Sequence, residues 1–582
     1  MHKDCSLLED NYLRRLEENE VIDKVALVLR NTILKMDKSK LSSKIKPSDL
    51  INGSDQSNVL SPPTKRRRTF EAIVPELVPI SARLQMLERL TPVENIEQCV
   101  PSSLSLVQTI DLLHMISLFF FHVPNTPMWT GFNSRIINDN TPKQMVSYLT
   151  PINSSPTETS VVKLTMTQAQ KVGVECDQKY VQVTYDLAIA KIALKIQATE
   201  APKFVNLFIH LGSFHLMMAF FKAIGVFINE CGLSHIMVES KIIASGSVNG
   251  IVEGKHFNRC KRLHPLMAVG LQILHFDQYL KTKQLQHDFL KEQIYDGLLQ
   301  YQDFEVSHST MTAELLPNEK LSRLLSSYQK FVDKTRQGDH GKTTQFYIIY
   351  IQLVNYYIIL SRSIRMGDFE VFKHIIPKIT NLFFIVNQPN YARWCVKYYD
   401  NLKNVNETHP GLEEDFKSGC FGIKRTDKPF SRIPVDLTLE LTINADAAKR
   451  LSGIAHFTNS IAARQRWTKS HSIRAALISH VLDVCGLRYK QDVTADLQPN
   501  RIKIFEKQLA AFIDIFEKNC NPFDPDLNKD DLYNIATGKS VSEDIADFLL
   551  NIEENGDELR KLFITECSED GSRSDKPIKK NS

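Results

Sequence analysis

Two residues stand where short apolar runs break off. Tyr180-Val-Gln-Val-Thr-Tyr185 ends on Asp186, and the run 204–211 is followed by Gly212-Ser-Phe-His215. β-Branched and aromatic runs followed by strong helix formers read as strand and then helix. In open α/β sheets, functional side chains collect at the carboxyl ends of such strands. A carboxylate placed there can hold Mg²⁺ or Mn²⁺, and a pair of these ions can clamp the attacking and leaving oxygens of a phosphodiester. The acid that could complete the site is Glu440, with Asp436 as its rival, in Ile433-Pro-Val-Asp-Leu-Thr-Leu-Glu-Leu-Thr-Ile443. The plain alternative is that Asp186 caps the helix that follows it. A histidine at a strand end is, likewise, more often a hydrogen-bonded structural residue than a ligand.

A second set of residues suggests anion binding. Glu253-Gly-Lys-His256-Phe-Asn-Arg-Cys260-Lys-Arg-Leu-His264 places His256, Cys260 and His264 along one helix face. Three ligands spread over two turns fit poorly around one tetrahedral zinc, and no CxxC pair accompanies them. Arg259, Lys261 and Arg262 interleave with them, which repels a cation and suits a phosphate backbone. The expectation is a basic, DNA-facing helix surface. Trp394 and Trp467 each follow an arginine and could stack on bases, although core anchoring is the stronger reading. No phosphate-cradling glycine loop, nucleophile elbow, HExxH or EF-hand loop is present, which removes the commonest enzyme classes.

The elements that must position these residues are mostly helical. With 582 residues, 43% hydrophobic and 24% charged, the chain reads as a soluble globular protein of several domains. A net charge of +4 is too small to argue for nucleic acid by itself. Ten cysteines without CxxC pairs or a secretory signal point to reduced thiols in cytosol or nucleus. The most apolar window, 112–123, is too short to span a bilayer, so no membrane is expected. The expected segments are helical 1–36, a linker 37–70, helical 71–126, a first core part 127–232, a helical insertion 233–419, a second core part 420–490, helices 491–566 and a polar tail 567–582. Strands are expected at 128–136, 144–149, 180–186 and 204–211, with strand character returning at 433–443. The linker carries Lys65, Arg66, Arg67 and Arg68 behind two prolines. That cluster resembles a nuclear import signal and implies a nuclear location and an import receptor as partner.

Gln108-Thr-Ile-Asp-Leu-Leu113, Tyr185-Asp-Leu-Ala-Ile-Ala-Lys-Ile-Ala193, Leu211-Gly-Ser-Phe-His215, Asn258-Arg-Cys-Lys-Arg262 and Asn390-Tyr-Ala-Arg-Trp394 occur together. In this they resemble an uncharacterised, multicopy family of invertebrate proteins that behaves like transposon-derived sequence. More loosely, the chain resembles hAT-type DDE transposases. These have an RNase H-like core whose second Asp follows the fourth strand and is trailed by Cys-x-x-His, with a large helical insertion before the final Glu. The resemblance implies a helix-dominated α/β fold with an RNase H-like sheet, Asp186 and Glu440 as the metal pair, and His215 as the motif histidine. It departs at two places: Gly212 stands where the motif has Cys, and the first strand offers Asn133 instead of Asp. The implied protein is nucleic-acid-associated and catalytically degenerate. The competing expectation is a mainly helical nuclear interaction scaffold in which Asp186 and His215 are structural.

Overall fold

The computed structural model describes residues 90, 100–119, 125–137, 141–144, 146, 149, 152, 154–229, 231–285, 319–441, 444, 458–470, 473–474, 477, 480–481, 484–485, 494–519, 521–526 and 531–569. The basic cluster Lys65–Arg68 lies outside them. The chain forms two compact units. One comprises 1–67, 147–153 and 443–491, and its main described element is the helix Ile461–Lys469, where the Arg474 guanidinium lies 4.0 Å over the Trp467 ring. The other comprises 68–146, 154–442 and 492–582 and contains everything that follows.

In chain order, the elements of this larger unit that bear on the site are α1 (Ser102–Phe119), α2 (Trp129–Ile136), α3 (Thr159–Glu175), β1 (Val181–Tyr185), α4 (Leu187–Thr199), β2 (Leu207–Leu211), α5 (Ser213–Phe227), α6 (Phe257–Thr282), α7 (Lys342–Met366), α8 (Phe369–Ile385), α9 (Pro389–Lys403), β3 (Gly422–Ile423), β4 (Ile433–Pro434), α10 (Val435–Leu441), α11 (Pro499–Asn519) and α12 (Ile552–Glu569). The fold is a helix-dominated mixture of α and β. Helix α7 is apolar nearly all round, from Phe346 to Leu360, and such a helix must be enclosed. It packs against α6 and α8, and α8 in turn packs against α9 and α12. Phe220, Phe221, Tyr347, Tyr350, Phe383 and Tyr398 fill the space between these helices and are almost wholly buried.

β1, α4 and β2 form the expected strand–helix–strand unit. The two strands are parallel, with Val181 opposite Leu207 and Tyr185 opposite Leu211. Every residue of β2 is buried, which fits its mostly apolar make-up, broken only by His210. Because the register is in step, both strands end at the same level, and the Gly212 N–H donates to Tyr185 O at 2.7 Å. Asp186 and the start of α5 are therefore neighbours.

Three expectations are corrected. Residues 129–136 are helical, because Trp129, Phe132 and Ile136 recur at helical spacing and the β-forming tendency of each residue gives way to packing of one face. Asn133 accordingly lies in the helical core and is not at a strand edge. Gln144 is not in a strand. Its N–H donates to Lys424 O at 2.7 Å, and its Oε1 accepts from the Lys424 N–H at 2.9 Å, so it is tied to the chain just after β3. The strand expected at 433–443 is only β4, antiparallel to β3, and the chain turns into α10 directly after Pro434. Among the described residues the sheets are two-stranded.

Candidate functional site

Four of the residues singled out in the sequence meet at the C-terminal edge of β1 and β2. Asp186 caps α4: its Oδ1 accepts from the Ile189 N–H at 2.9 Å. Asp436, from the far side of the helical insertion, reaches the first turn of α5. Its Oδ1 accepts from the Phe214 N–H at 3.1 Å, and its Oδ2 accepts from the His215 N–H at 3.1 Å and lies 3.0 Å from His215 Nδ1. A carboxylate has no proton to give, so Nδ1 is the donor and the ring proton points at Asp436. The helix start favours a negative charge, and these charge-assisted bonds are the strong kind. Asp436, not Asp186, is the acid that binds the site together.

Gly212 leaves no room for a side chain. A Cβ at that position would overlap the Asp436 carboxylate. The absence of a side chain is what lets Asp436 approach the exposed N–H groups of α5.

The electrostatics of the site centre on His215. Its hydrogen bond to Asp436 holds its pKa above the ordinary histidine value. Partial burial opposes this, and the charges of Asp436, Asp186 and Glu440 add to it. Glu440 follows Asp436 by one turn of α10. Three acids from two distant segments thus act on one imidazole. Side-chain exposure is 32% for His215 and 7% for Asp436, so the acid is enclosed while the ring still reaches solvent. The Tyr391 hydroxyl, from the first turn of α9, donates to His215 O at 3.3 Å and steadies the backbone there.

This arrangement does not fit a divalent ion as it stands. Both oxygens of Asp436 are taken up by donors, one oxygen of Asp186 caps α4, and a histidine with a raised pKa stands among the carboxylates. Among the described residues, no group of three or more His, Cys, Asp or Glu is placed to hold a metal ion. Asn133, the first-strand candidate, is elsewhere. Its side chain donates to Trp129 O at 2.9 Å and accepts from Arg362 Nη1 at 2.6 Å inside the core.

The basic segment opens α6 beside this site. The Phe214 and Phe257 rings meet edge to face with centroids 4.8 Å apart, and the Lys261 ammonium lies 5.5 Å from the Phe257 centroid. Arg259 donates to Ser247 Oγ at 2.6 Å and Arg262 to Gln508 Oε1 at 3.1 Å. His256, Cys260 and His264 do not converge. The Cys260 thiol donates to Ile251 O at 3.6 Å, and burial pushes its pKa up to about 12, while His264 is enclosed against Tyr350. Trp394 is buried, as expected of a core anchor, with the Arg393 guanidinium 4.9 Å from its ring centroid. Sequence reasoning missed the pairing of Asp436 with His215. No local pattern signals it, since the two are brought together only by the return of the chain after the insertion.

Residues 128–572 match the family described as Domain of unknown function (DUF8702), and the chain belongs to that family. Neither a curated protein nor a solved structure matches it significantly. Among the described residues, no helix is long and apolar enough to cross a membrane.

Proposed function

We propose that this chain is a transposon-derived, nucleic-acid-associated nuclear protein. Its β1–α4–β2 unit would be a remnant of an RNase H-like core that no longer catalyses strand cleavage. One observation carries the reading: Asp186, His215, Asp436 and Glu440 converge on one edge of a parallel strand pair, although a long helical stretch separates the first two from the last two. A carboxylate after a strand, a histidine in the helix that follows the neighbouring strand and late acids after a helical insertion follow the layout of hAT-type transposases. Two features support a loss of catalysis: Asn133, the first-strand candidate, lies in a helix away from the site, and His215, with its pKa raised, brings a group that can carry positive charge to the place where a divalent cation would sit.

Calorimetric titration of the full chain with Mn²⁺, beside Asp186→Ala, tests this. Neither protein should bind the ion, and neither should nick a DNA duplex. Binding by the wild type that disappears in the variant would overturn the degenerate reading and restore a metal-dependent nuclease. A second reading, a helical nuclear interaction scaffold, is favoured by the structural duties of Asp186 and Asp436, each of which caps a helix. Absence of DNA binding at low salt, together with absence of Mn²⁺ binding, would leave the scaffold standing.

A further inference from the structure

Arg432 is only 3% exposed, yet no carboxylate among the described residues pairs with it, and its Nε has no hydrogen-bond partner. A guanidinium stripped of water and left without a counter-charge is costly. What surrounds it is backbone. A Cβ at Gly367 would overlap Arg432 Nη1 and come within 2.9 Å of Gly419 Cα. A Cβ at Gly419 would lie 2.6 Å from Nη1 and 2.7 Å from Cζ, and one at Gly422 would lie 3.0 Å from Cδ. Three glycines therefore line the side chain along its length.

Two of them end helices. Gly367, at φ +76°, closes α7: its N–H donates to Ile364 O at 3.2 Å, and the Asp368 N–H donates to Ser363 O at 2.8 Å. Gly419, at φ +89°, follows the short helix Leu412–Lys417 in the same way. Its N–H donates to Phe416 O at 2.8 Å, and the Cys420 N–H donates to Asp415 O at 3.0 Å. The C-terminal end of a helix is its negative end and favours a cation. Arg432 sits where two such ends meet, and they take the place of the missing carboxylate.

The chain on either side of Arg432 is fixed as well. Phe430 O accepts from Arg365, near the end of α7, at 2.8 Å, and the Arg365 guanidinium lies 5.3 Å over the Phe430 ring. The Trp129 ring meets that of Phe430 edge to face at 5.4 Å. Beyond Arg432, β4 pairs with β3 and passes directly into α10. Asp436, in the first turn of α10, thus lies just past the clamp.

We propose that Arg432 is the positioning residue of the Asp436–His215 contact. Seated between the ends of α7 and Leu412–Lys417, it sets where the chain returns from the helical insertion. It thereby keeps the Asp436 carboxylate on the first turn of α5. The packing of the insertion helices then governs the charge of His215, whether or not the site serves nucleic acid.

The test uses the full chain with Arg432→Gln and Arg432→Lys. The readouts are the NMR titration midpoint of the His215 ring and hydrogen exchange at the Phe214 and His215 amides. The Ile189 amide, held locally by Asp186, is the control. In Arg432→Gln the His215 midpoint should fall towards that of a free histidine. Exchange at Phe214 and His215 should quicken about tenfold or more, as the loss of hydrogen bonds to a charged group implies. Ile189 should exchange as in the wild type. Arg432→Lys, which keeps a cation at the helix ends, should recover part of both effects. If Arg432→Gln does not fold, Gly419→Ala, which shifts the guanidinium without removing it, carries the same readouts. A wild-type midpoint with wild-type exchange at Phe214 and His215 would overturn the proposal. Equal quickening at Ile189 would overturn it too, because it marks a general loss of stability.

Discussion

His215 Nδ1 and Asp436 Oδ2 lie 3.0 Å apart although 221 residues separate them in the chain. Their contact closes the segment that follows the helical insertion onto the strand–helix–strand unit that precedes it. Because Asp436 also receives the first free N–H groups of α5, removing its carboxylate leaves two kinds of donor unmatched at once. Asp436→Ala should cost on the order of 2–4 kcal/mol in urea unfolding. Gly212→Ala should cost a similar amount by pushing the carboxylate away. Hydrogen exchange at the Phe214 and His215 amides should quicken in both variants. Unchanged exchange in Gly212→Ala would show that Asp436 does not need the space.

The same contact has a defined pH dependence. The folded pKa of His215 is raised above the ordinary value, so folding retains a proton that the unfolded chain releases earlier. Stability from the pair is complete below about pH 6.5 and is lost as pH rises through the folded pKa. NMR titration of the His215 ring should place its midpoint above that of a free histidine, and Asp436→Asn should lower it. A midpoint at or below 6.5 in the wild type would contradict the charge balance of the site.

Several other histidines shift in the opposite direction, among them three that lie against tyrosine hydroxyls. His210 Nδ1 is 2.7 Å from the Tyr398 hydroxyl, His264 Nδ1 is 3.0 Å from that of Tyr350, and His275 Nδ1 is 3.1 Å from that of Tyr328. Burial lowers the pKa of each to about 3. For His275 the tautomer follows from its neighbours: Thr335 gives its hydroxyl proton to Phe331 O, so Nε2 donates to Thr335 and Nδ1 accepts from Tyr328. Unfolding lets these rings charge, so their contribution is present above about pH 6.5 and falls as pH drops, by up to about 1.4 kcal/mol per pH unit for each. Urea unfolding across a pH series should show that decline. In His275→Gln the slope should be shallower by one proton's share.

Arg362 is a further buried point of weakness. Its guanidinium pairs with Asp111, donates to Asn133 and lies 5.0 Å over the Trp129 ring, while Trp129 Nε1 donates to Asp111 at 2.7 Å. Burial lowers the pKa of Arg362 and raises that of Asp111, each charge partly offsetting the loss of water around the other. Arg362→Leu leaves Asp111 and Asn133 without their partner and should destabilise by about 3–5 kcal/mol. Melting temperatures would show it. A loss below 1 kcal/mol would mean that water replaces the guanidinium.

These relations also show what the sequence could convey. The stretch 180–228 was legible because Asp186, β2 and His215 are ordered by local periodicity, and both β1 and β2 fall where the runs of apolar residues lie. Trp129–Ile136 misled because Trp, Thr, Phe and Ile favour strands individually, whereas Trp129, Asn133 and Ile136 are buried on one helical face. α10 misled more deeply. Its leucines alternate as in a strand, yet Asp436 and Thr438 are the buried side chains while Leu439 and Leu441 are exposed. A buried aspartate can be recognised as such only when the helix start it serves is in view, and that start lies far away in sequence.

The place of His215 among the carboxylates has a last consequence. In His215→Ala, the ring that can carry a positive charge leaves while Asp186, Asp436 and Glu440 remain on the same edge of the strand pair. Carboxylates are the ligands that hard divalent cations prefer. The variant should therefore bind Mn²⁺ more tightly than the wild type in calorimetry, and the gain should disappear in His215→Ala/Glu440→Gln. His215→Lys, which restores a cation, should return the protein to weak binding. If His215→Ala gains no affinity, the acids are held too far apart to share an ion, and the histidine serves only to dock α10 on α5.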